Sequence, residues 1–277
     1  MHTRNEVIEA NIKLHTALAD VYKHTEPHYR PENIERIDGV LKTLQKNYNG
    51  ESLLDIGCGA GFIIDIAKKY FKTIRGIDIT PTMLAQINTE SETCDIKVEL
   101  GNCEDLTFGE NTFDACSAYA VLHHLHDIPA VMQEVYRVLK PGGVFYSDLD
   151  PNHYFWSAIS KLSKEEKYSD IVAREYHAVL YKDDELEEQF NVEKDILHTA
   201  EYLKHDMGGF KEEDMIAILK KIGFTSVKIQ YEWFLGEGNI IHGEKTKEAA
   251  NIMREYMRDI LPLSRHLFKY ISIYAIK

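Results

Sequence analysis

Two periodicities divide the chain. Over residues 5–24, Val7, Ala10, Leu14, Ala17, Leu18 and Val21 recur at three- and four-residue intervals, the spacing of one helix face. After a loop with two prolines, a second helix is predicted from Pro31, where a missing N–H does no harm. It carries Ile34, Ile37, Leu41 and Leu44 and ends near Asn47-Tyr48-Asn49-Gly50. From Ser52 the pattern changes to short apolar runs at 52–56, 73–78, 96–100, 113–119 and 144–149. Between them lie helical stretches at about 60–70, from Pro81 onward, and at about 128–139. Met83, Leu84 and Ile87 face inward on the second of these, and Thr80 is placed to cap it. Strand–helix alternation of this kind predicts a parallel sheet with helices on both faces.

Residues 151–207 interrupt the alternation. They are rich in aromatics (Tyr154, Phe155, Trp156, Tyr168, Tyr176, Tyr181) and mostly helical in pattern. Their acidic run, 183–188, reads as a solvated helix face. After Gly208-Gly209 the α/β pattern resumes with a helix to Ile222, Gly223 as its C-terminal stop, and a strand at 226–231. A long loop, 235–243, a helix with Ala249, Ile252, Met253 and Tyr256, and a last strand at 267–275 complete the chain. The predicted organisation is a helical cap over 1–50, an α/β domain formed by 51–150 and 208–277, and a helical insertion over 151–207.

Charge and cysteine usage narrow the class. Against 32 basic residues stand 45 acidic ones, a formal charge of −13, so the net field repels polyanions and disfavours a nucleic-acid partner. Cys58, Cys94, Cys103 and Cys116 form no Cys-x-x-Cys pair and read as reduced, buried thiols of a cytoplasmic protein. The N-terminus has no apolar core of a signal peptide. No run of about 18 apolar residues exists, which argues against membrane insertion.

The chemistry concentrates at predicted strand ends. Leu53-Leu54-Asp55-Ile56-Gly57-Cys58-Gly59-Ala60-Gly61 is a strand, an acidic residue and a glycine-dense turn before an apolar helix, an arrangement that lets backbone approach a ligand. Its Gly-x-Gly-x-Gly is shorter than the dinucleotide-binding pattern and favours a ligand without a pyrophosphate. Strand two ends in Asp78, seventeen residues past Gly61, near the ~20-residue spacing at which a carboxylate meets ribose hydroxyls. In doubly wound sheets the ligand lies at such carboxyl ends.

Together with Gly76-Ile77-Asp78, Gly101-Asn102-Cys103-Glu104-Asp105-Leu106, Phe113-Asp114, Val121-Leu122-His123-His124-Leu125 and Leu139-Lys140-Pro141-Gly142-Gly143, this turn resembles the ordered motifs of class I S-adenosylmethionine-dependent methyltransferases. The nearest resemblance is to the group that includes ubiquinone and menaquinone C-methyltransferases and many small-molecule enzymes. It implies a Rossmann-like, seven-stranded, mostly parallel sheet whose last strand is antiparallel, with S-adenosylmethionine as cofactor. It further implies that Asp55 and the backbone of Gly57, Cys58, Gly59 and Gly61 hold the methionine part of the cofactor. Asp78 binds the ribose, Ile79 flanks the adenine, and Cys103 offers its N–H to that ring. Asn102 stands where the group usually has aspartate, yet its amide oxygen still accepts. Tyr119 falls beside the methionine end, and the cap loop brings Tyr22, His28 or Tyr29 there or else packs helix on helix.

His123 and His124 are the candidate catalytic bases, against a structural role. No metal is expected, because adjacent residues point their side chains apart and no second ligand cluster is apparent. The insertion is either an acceptor lid or a small satellite core. The acceptor expected is a small apolar or aromatic metabolite. Alternatives are a quinone or lipid-precursor C-methyltransferase and a cofactor-binding protein without catalysis. A macromolecular methyltransferase is disfavoured by the missing basic stripe, and Tyr119-Ala120-Val121-Leu122 stands where amino-methylating nucleic-acid enzymes carry Asn-Pro-Pro-Tyr.

Overall fold

The computed structural model describes residues 2–48, 50–162, 167–180, 187–190, 192–238 and 246–277. The cap begins with helix α1 (Arg4–Leu18), started by a capping box in which the Thr3 hydroxyl accepts from Glu6 N–H and the Glu6 carboxylate accepts from Thr3 N–H. The single helix expected over 5–24 breaks at residues 19–21, and a separate turn of helix follows at Tyr22–Thr25. Helix α2 (Pro31–Tyr48) buries Ile37, Leu41 and Leu44.

Strands β1 (Ser52–Ile56), β2 (Thr73–Asp78), β3 (Asp95–Leu100), β4 (Phe113–Tyr119), β5 (Leu139–Pro151), β6 (Ser226–Phe234) and β7 (Phe268–Ile276) form one seven-stranded sheet. Their order is β3-β2-β1-β4-β5-β7-β6, and β7 alone runs antiparallel to its neighbours. The order reverses between β1 and β4, which pair in parallel with Asp55 opposite Ser117. That is the topological switch where a doubly wound sheet opens a crevice.

Helix α3 (Phe62–Ala67) follows β1, and a single turn, α4 (Pro81–Leu84), follows β2. Successive strand residues face opposite sides, so Leu53 joins a core under α2 and α3 while Leu54 joins the other core. That second core gathers Val131, Met132 and Val135 of α5 (Ile128–Val138) and Met215 and Leu219 of α10 (Glu212–Ile222). The insertion contributes α6 (His153–Ile159), α7 (Asp170–Leu180), α8 (Lys194–Ala200) and the single turn α9 (Tyr202–His205). A last helix, α11 (Lys247–Asp259), precedes β7.

Three local expectations need correction. The helix from Pro81 is one turn long, so Ile87 lies beyond it, although Ile87 still packs over Gly61. The Thr80 side chain makes no capping bond; its N–H instead donates to Asp78 Oδ1 at 2.8 Å. Strand β5 starts at Leu139 rather than Val144, because Leu139 already pairs with Phe113 before a bulge restores the register at Ala115. Tyr181, most of the acidic run 183–188, and most of the loop 235–243 lie outside the described residues.

Helix α1 does not lie on the sheet along its length. Ala10, Leu14 and Leu18 bury against Val192, Leu197 and Ala200 of the insertion. Cap and insertion therefore meet each other across the crevice at the strand ends.

Candidate active site

The glycine turn after β1 is built from left-handed backbone: φ is +61° at Gly57, +50° at Gly59 and +89° at Gly61. Gly57 is the tightest position. A Cβ there would sit 2.2 Å from Cγ2 of Val121, which leads out of β4, so both conformation and space demand glycine. The turn is tied to β2 by the Cys58 N–H bond to Ile77 O at 2.9 Å. It is tied again by Asp78, whose Oδ2 accepts from Gly59 N–H at 2.9 Å. One carboxylate thus braces both its own turn and the glycine turn, two charge-assisted bonds that hold its orientation.

Over this floor opens a cleft. Gly57, Gly59, Asp78, Ile79, Asn102, Cys103 and Tyr119 line it, drawn from the ends of β1, β2, β3 and β4. Tyr22 and His124 line it too. Asp55, Cys58, Gly61, Tyr29 and His123 do not border the cleft. Asp55 lies beneath the turn, 1% exposed, its Oδ1 accepting from Ser117 Oγ at 2.7 Å. Burial raises its pKa to about 7; the Ser117 bond pulls against that rise and the Asp78 charge adds to it. Asn102 Oδ1 accepts from Glu104 N–H at 2.9 Å, which fixes the amide at the cleft wall.

The cap loop resolves toward packing. His28 is buried with its ring 5.0 Å from Phe62, and Phe62 in turn lies 4.7 Å from Tyr119. Tyr29 joins this aromatic group at 5.2 Å from Phe62. Tyr119 is further held by Asn33, whose Nδ2 donates to the phenol oxygen at 2.7 Å. Arg36 binds the same Asn33 and reaches Asp148 at 2.7 Å, where Tyr146 also donates at 2.5 Å. Burial works against the Arg36 charge, but Asp148, Tyr146, Tyr119 and Glu232 together outweigh it and raise the guanidinium pKa well above its ordinary value.

On the far side of the cleft stand the histidines. His123 and His124 occupy a 3-10 turn (Leu122–His124) after β4. The expectation that adjacent side chains diverge fails here: the two rings tilt together with centroids 4.2 Å apart. His123 Nδ1 meets Asp150 Oδ1 at 3.0 Å, and His124 Nδ1 meets Ala200 O at 3.3 Å. Burial first, and the neighbouring His123 and His15 second, push the His124 pKa well below its ordinary value, so the ring is neutral.

Residues that sequence reasoning passed over complete this wall. Asn11 and His15 of α1 line the cleft. Asn11 is 2% exposed, and its Nδ2 donates to His124 O at 3.0 Å and Ala200 O at 3.2 Å. Its Oδ1 is buried with no hydrogen-bond partner. A signal existed: Asn11 interrupts the apolar stripe of Val7, Ala10 and Leu14. Likewise Asp148 and Asp150 stand inside an apolar strand, where an acidic side chain needs a reason.

Residues 54–147 match the protein family described as Methyltransferase domain. Over this segment the chain is similar to S-adenosylmethionine-dependent methyltransferases. Among similar proteins, the sterol 4-C-methyltransferase strm-1 of Caenorhabditis elegans is 31% identical over 168 residues, 54% of this chain and 49% of that protein. Demethylmenaquinone methyltransferase of Symbiobacterium thermophilum is 35% identical over 103 residues, 35% of this chain and 41% of that protein. The chain spans about half the length, or less, of these curated relatives. In structure, phosphoethanolamine N-methyltransferase 2 of Haemonchus contortus, solved with phosphomonomethylethanolamine and S-adenosylhomocysteine, aligns with a TM-score of 0.57 at 16% identity. That alignment covers 100% of this chain and 60% of the other, and it is a likeness of fold. The match ends before the insertion and begins after the cap, so it takes in the floor of the cleft and the two histidines but not Asn11, His15 or Ala200.

Proposed function

We propose that this chain is a methyltransferase that moves a methyl group from S-adenosylmethionine to a small, apolar or aromatic metabolite by direct in-line displacement. One observation carries the reading: seven residues from four strand ends, all expected to touch the cofactor, line a single cleft. The residues suit the group chemically. Each oxygen of the Asp78 carboxylate accepts one backbone N–H and keeps lone pairs for a ribose hydroxyl. The Asn102 oxygen retains a lone pair for the adenine amino group beside its bond to Glu104. Ile79 and the Cys103 backbone flank the base. The Gly57–Gly61 turn, propped from below by Asp55 and walled by Tyr119 and Tyr22, receives the methionine end.

When bound, the cofactor supplies a methyl group already activated on a sulfonium. The chain's own contribution is then alignment and exclusion of water. Holding donor and acceptor in line can lower the barrier by roughly 7–11 kcal/mol. Asn11, His15, His124 and Leu125 form the acceptor side, with the cap 1–50 and the insertion 151–207 as its lid. Of the two candidate histidines, His124 borders the cleft and is neutral, although the burial that lowers its pKa also makes it a weaker proton acceptor than an ordinary imidazole. His123 stands behind it on Asp150. Four buried, free cysteines fit a reducing cytoplasm, and no helix among the described residues is long and apolar enough to cross a membrane.

The test is transfer of labelled methyl from S-adenosylmethionine into a fractionated metabolite extract. A labelled small molecule that disappears with Asp78→Ala is expected. Binding of the cofactor with no labelled product in any fraction would reassign the chain as a non-catalytic binder.

A further inference from the structure

We propose that His123, His124 and Glu201 form a binding site for a divalent metal ion of the zinc class, which joins the end of β4 to the helical insertion. A ring nitrogen of each histidine and a carboxylate oxygen of Glu201 lie within 4.8 Å of one another. One point then lies within about 2.8 Å of all three donors, and closing to the ~2.0–2.2 Å of zinc–nitrogen and zinc–oxygen bonds takes less than ~1 Å of side-chain adjustment.

The surroundings of the donors carry the argument further than their spacing. A metal-bound histidine characteristically gives its other ring N–H to a carboxylate or a backbone carbonyl. Both histidines here already do so: His123 Nδ1 faces Asp150 Oδ1 at 3.0 Å and His124 Nδ1 faces Ala200 O at 3.3 Å. Each bond places the proton on Nδ1 and leaves the lone pair on Nε2. Two imidazoles and a carboxylate grouped in this way offer an N2O donor set that suits zinc and leaves its fourth position open.

One group opposes the ion. Lys204 Nζ contacts Glu201 Oε2, and His205 Nε2 lies 3.6 Å from the same oxygen. The metal therefore binds through the other carboxylate oxygen or displaces the ammonium, and Lys204 weakens the site. A metal here takes the His124 lone pair that the proposed function assigns to an acceptor's proton, so metal and proton are alternative occupants. The site itself stands on the donor geometry and is read out without any methyl transfer.

Cobalt(II) titration of the full chain, followed by visible absorption with zinc competition, tests this. The wild type is expected to develop the bands of low-coordinate cobalt at one equivalent, and zinc to abolish them. Glu201→Gln and His124→Ala are expected to weaken binding at least tenfold, and Lys204→Met to tighten it. Absence of the cobalt bands in the wild type, or unchanged affinity in Glu201→Gln, would overturn the site. If His124→Ala does not fold, judged by circular dichroism of the metal-free protein, the Glu201→Gln and Lys204→Met pair decides alone. Methyl transfer by the metal-free protein would leave the proposed activity standing whichever way the cobalt titration falls, so the two readings fail separately.

Discussion

Replacing Gly57 by alanine tests whether the floor of the cleft is built as described. Two costs add. A non-glycine residue at φ +61° pays roughly 1–2 kcal/mol for its left-handed backbone. The new methyl group would lie 2.2 Å from Val121 Cγ2, and relieving such overpacking costs about 1–3 kcal/mol. Gly57→Ala is thus expected to lose about 2–5 kcal/mol, a large share of a typical ~5–15 kcal/mol stability. The two terms separate in a double-mutant cycle with Val121→Ala. Truncating Val121 removes the atom at 2.2 Å but leaves its Cβ at 3.0 Å, so it relieves much of the clash and none of the backbone strain. Val121→Ala should therefore cost about 1–2 kcal/mol less in the Gly57→Ala background than in the wild type. Urea midpoints of the four proteins give the coupling. A Gly57→Ala loss below ~0.5 kcal/mol, or a coupling of zero, would refute the argument.

Asp78→Ala removes the acceptor shared by Gly59 and Thr80 N–H; calorimetry with S-adenosylhomocysteine should show at least tenfold weaker binding, and equal affinity would remove Asp78 from the ribose. Asp55 keeps its proton in the folded state up to about pH 7, whereas the unfolded chain releases it near 3.8. The folded state binds the extra proton in that window, so this group makes stability fall as pH rises from about 4 to 7, by about 1.4 kcal/mol per unit, and leaves it flat above. Asp55→Asn should lose that slope in urea titrations at pH 5, 6 and 8, and parallel curves for both proteins would contradict the assignment. Arg36→Ala leaves the fully buried Asp148 without its cation and should cost about 3–5 kcal/mol, while Arg36→Met with Asp148→Asn should cost less than the single change; thermal melts rank the three.

The succession of strands along the chain, the glycine turn and the carboxylate that ends β2 were legible because they are local. Asp55, Gly57 and Asp78 lie within one strand–helix–strand unit, and apolar alternation fixes their side of the sheet. Boundaries failed where pairing overrode pattern: Leu139 belongs to β5 because Phe113 offers it a partner, which no reading of Lys140-Pro141-Gly142-Gly143 alone would show. The far wall was illegible for a different reason. Asn11, His124 and Ala200 share hydrogen bonds across 113 and 189 residues of sequence, and spacing along the chain says nothing of such a meeting. The convergence of His123 and His124 was hidden by the 3-10 turn, whose winding differs from both the strand before it and the helix after it.

The packing of α1 on α8 makes the two walls one clasp. Ala10, Leu14 and Leu18 bury against Val192, Leu197 and Ala200, and Asn11 bolts that seam to the end of β4. A segment from near the start of the chain thus closes on one from its last third, so two stretches far apart in sequence hold one wall of the crevice in common, and a change to either is felt by both.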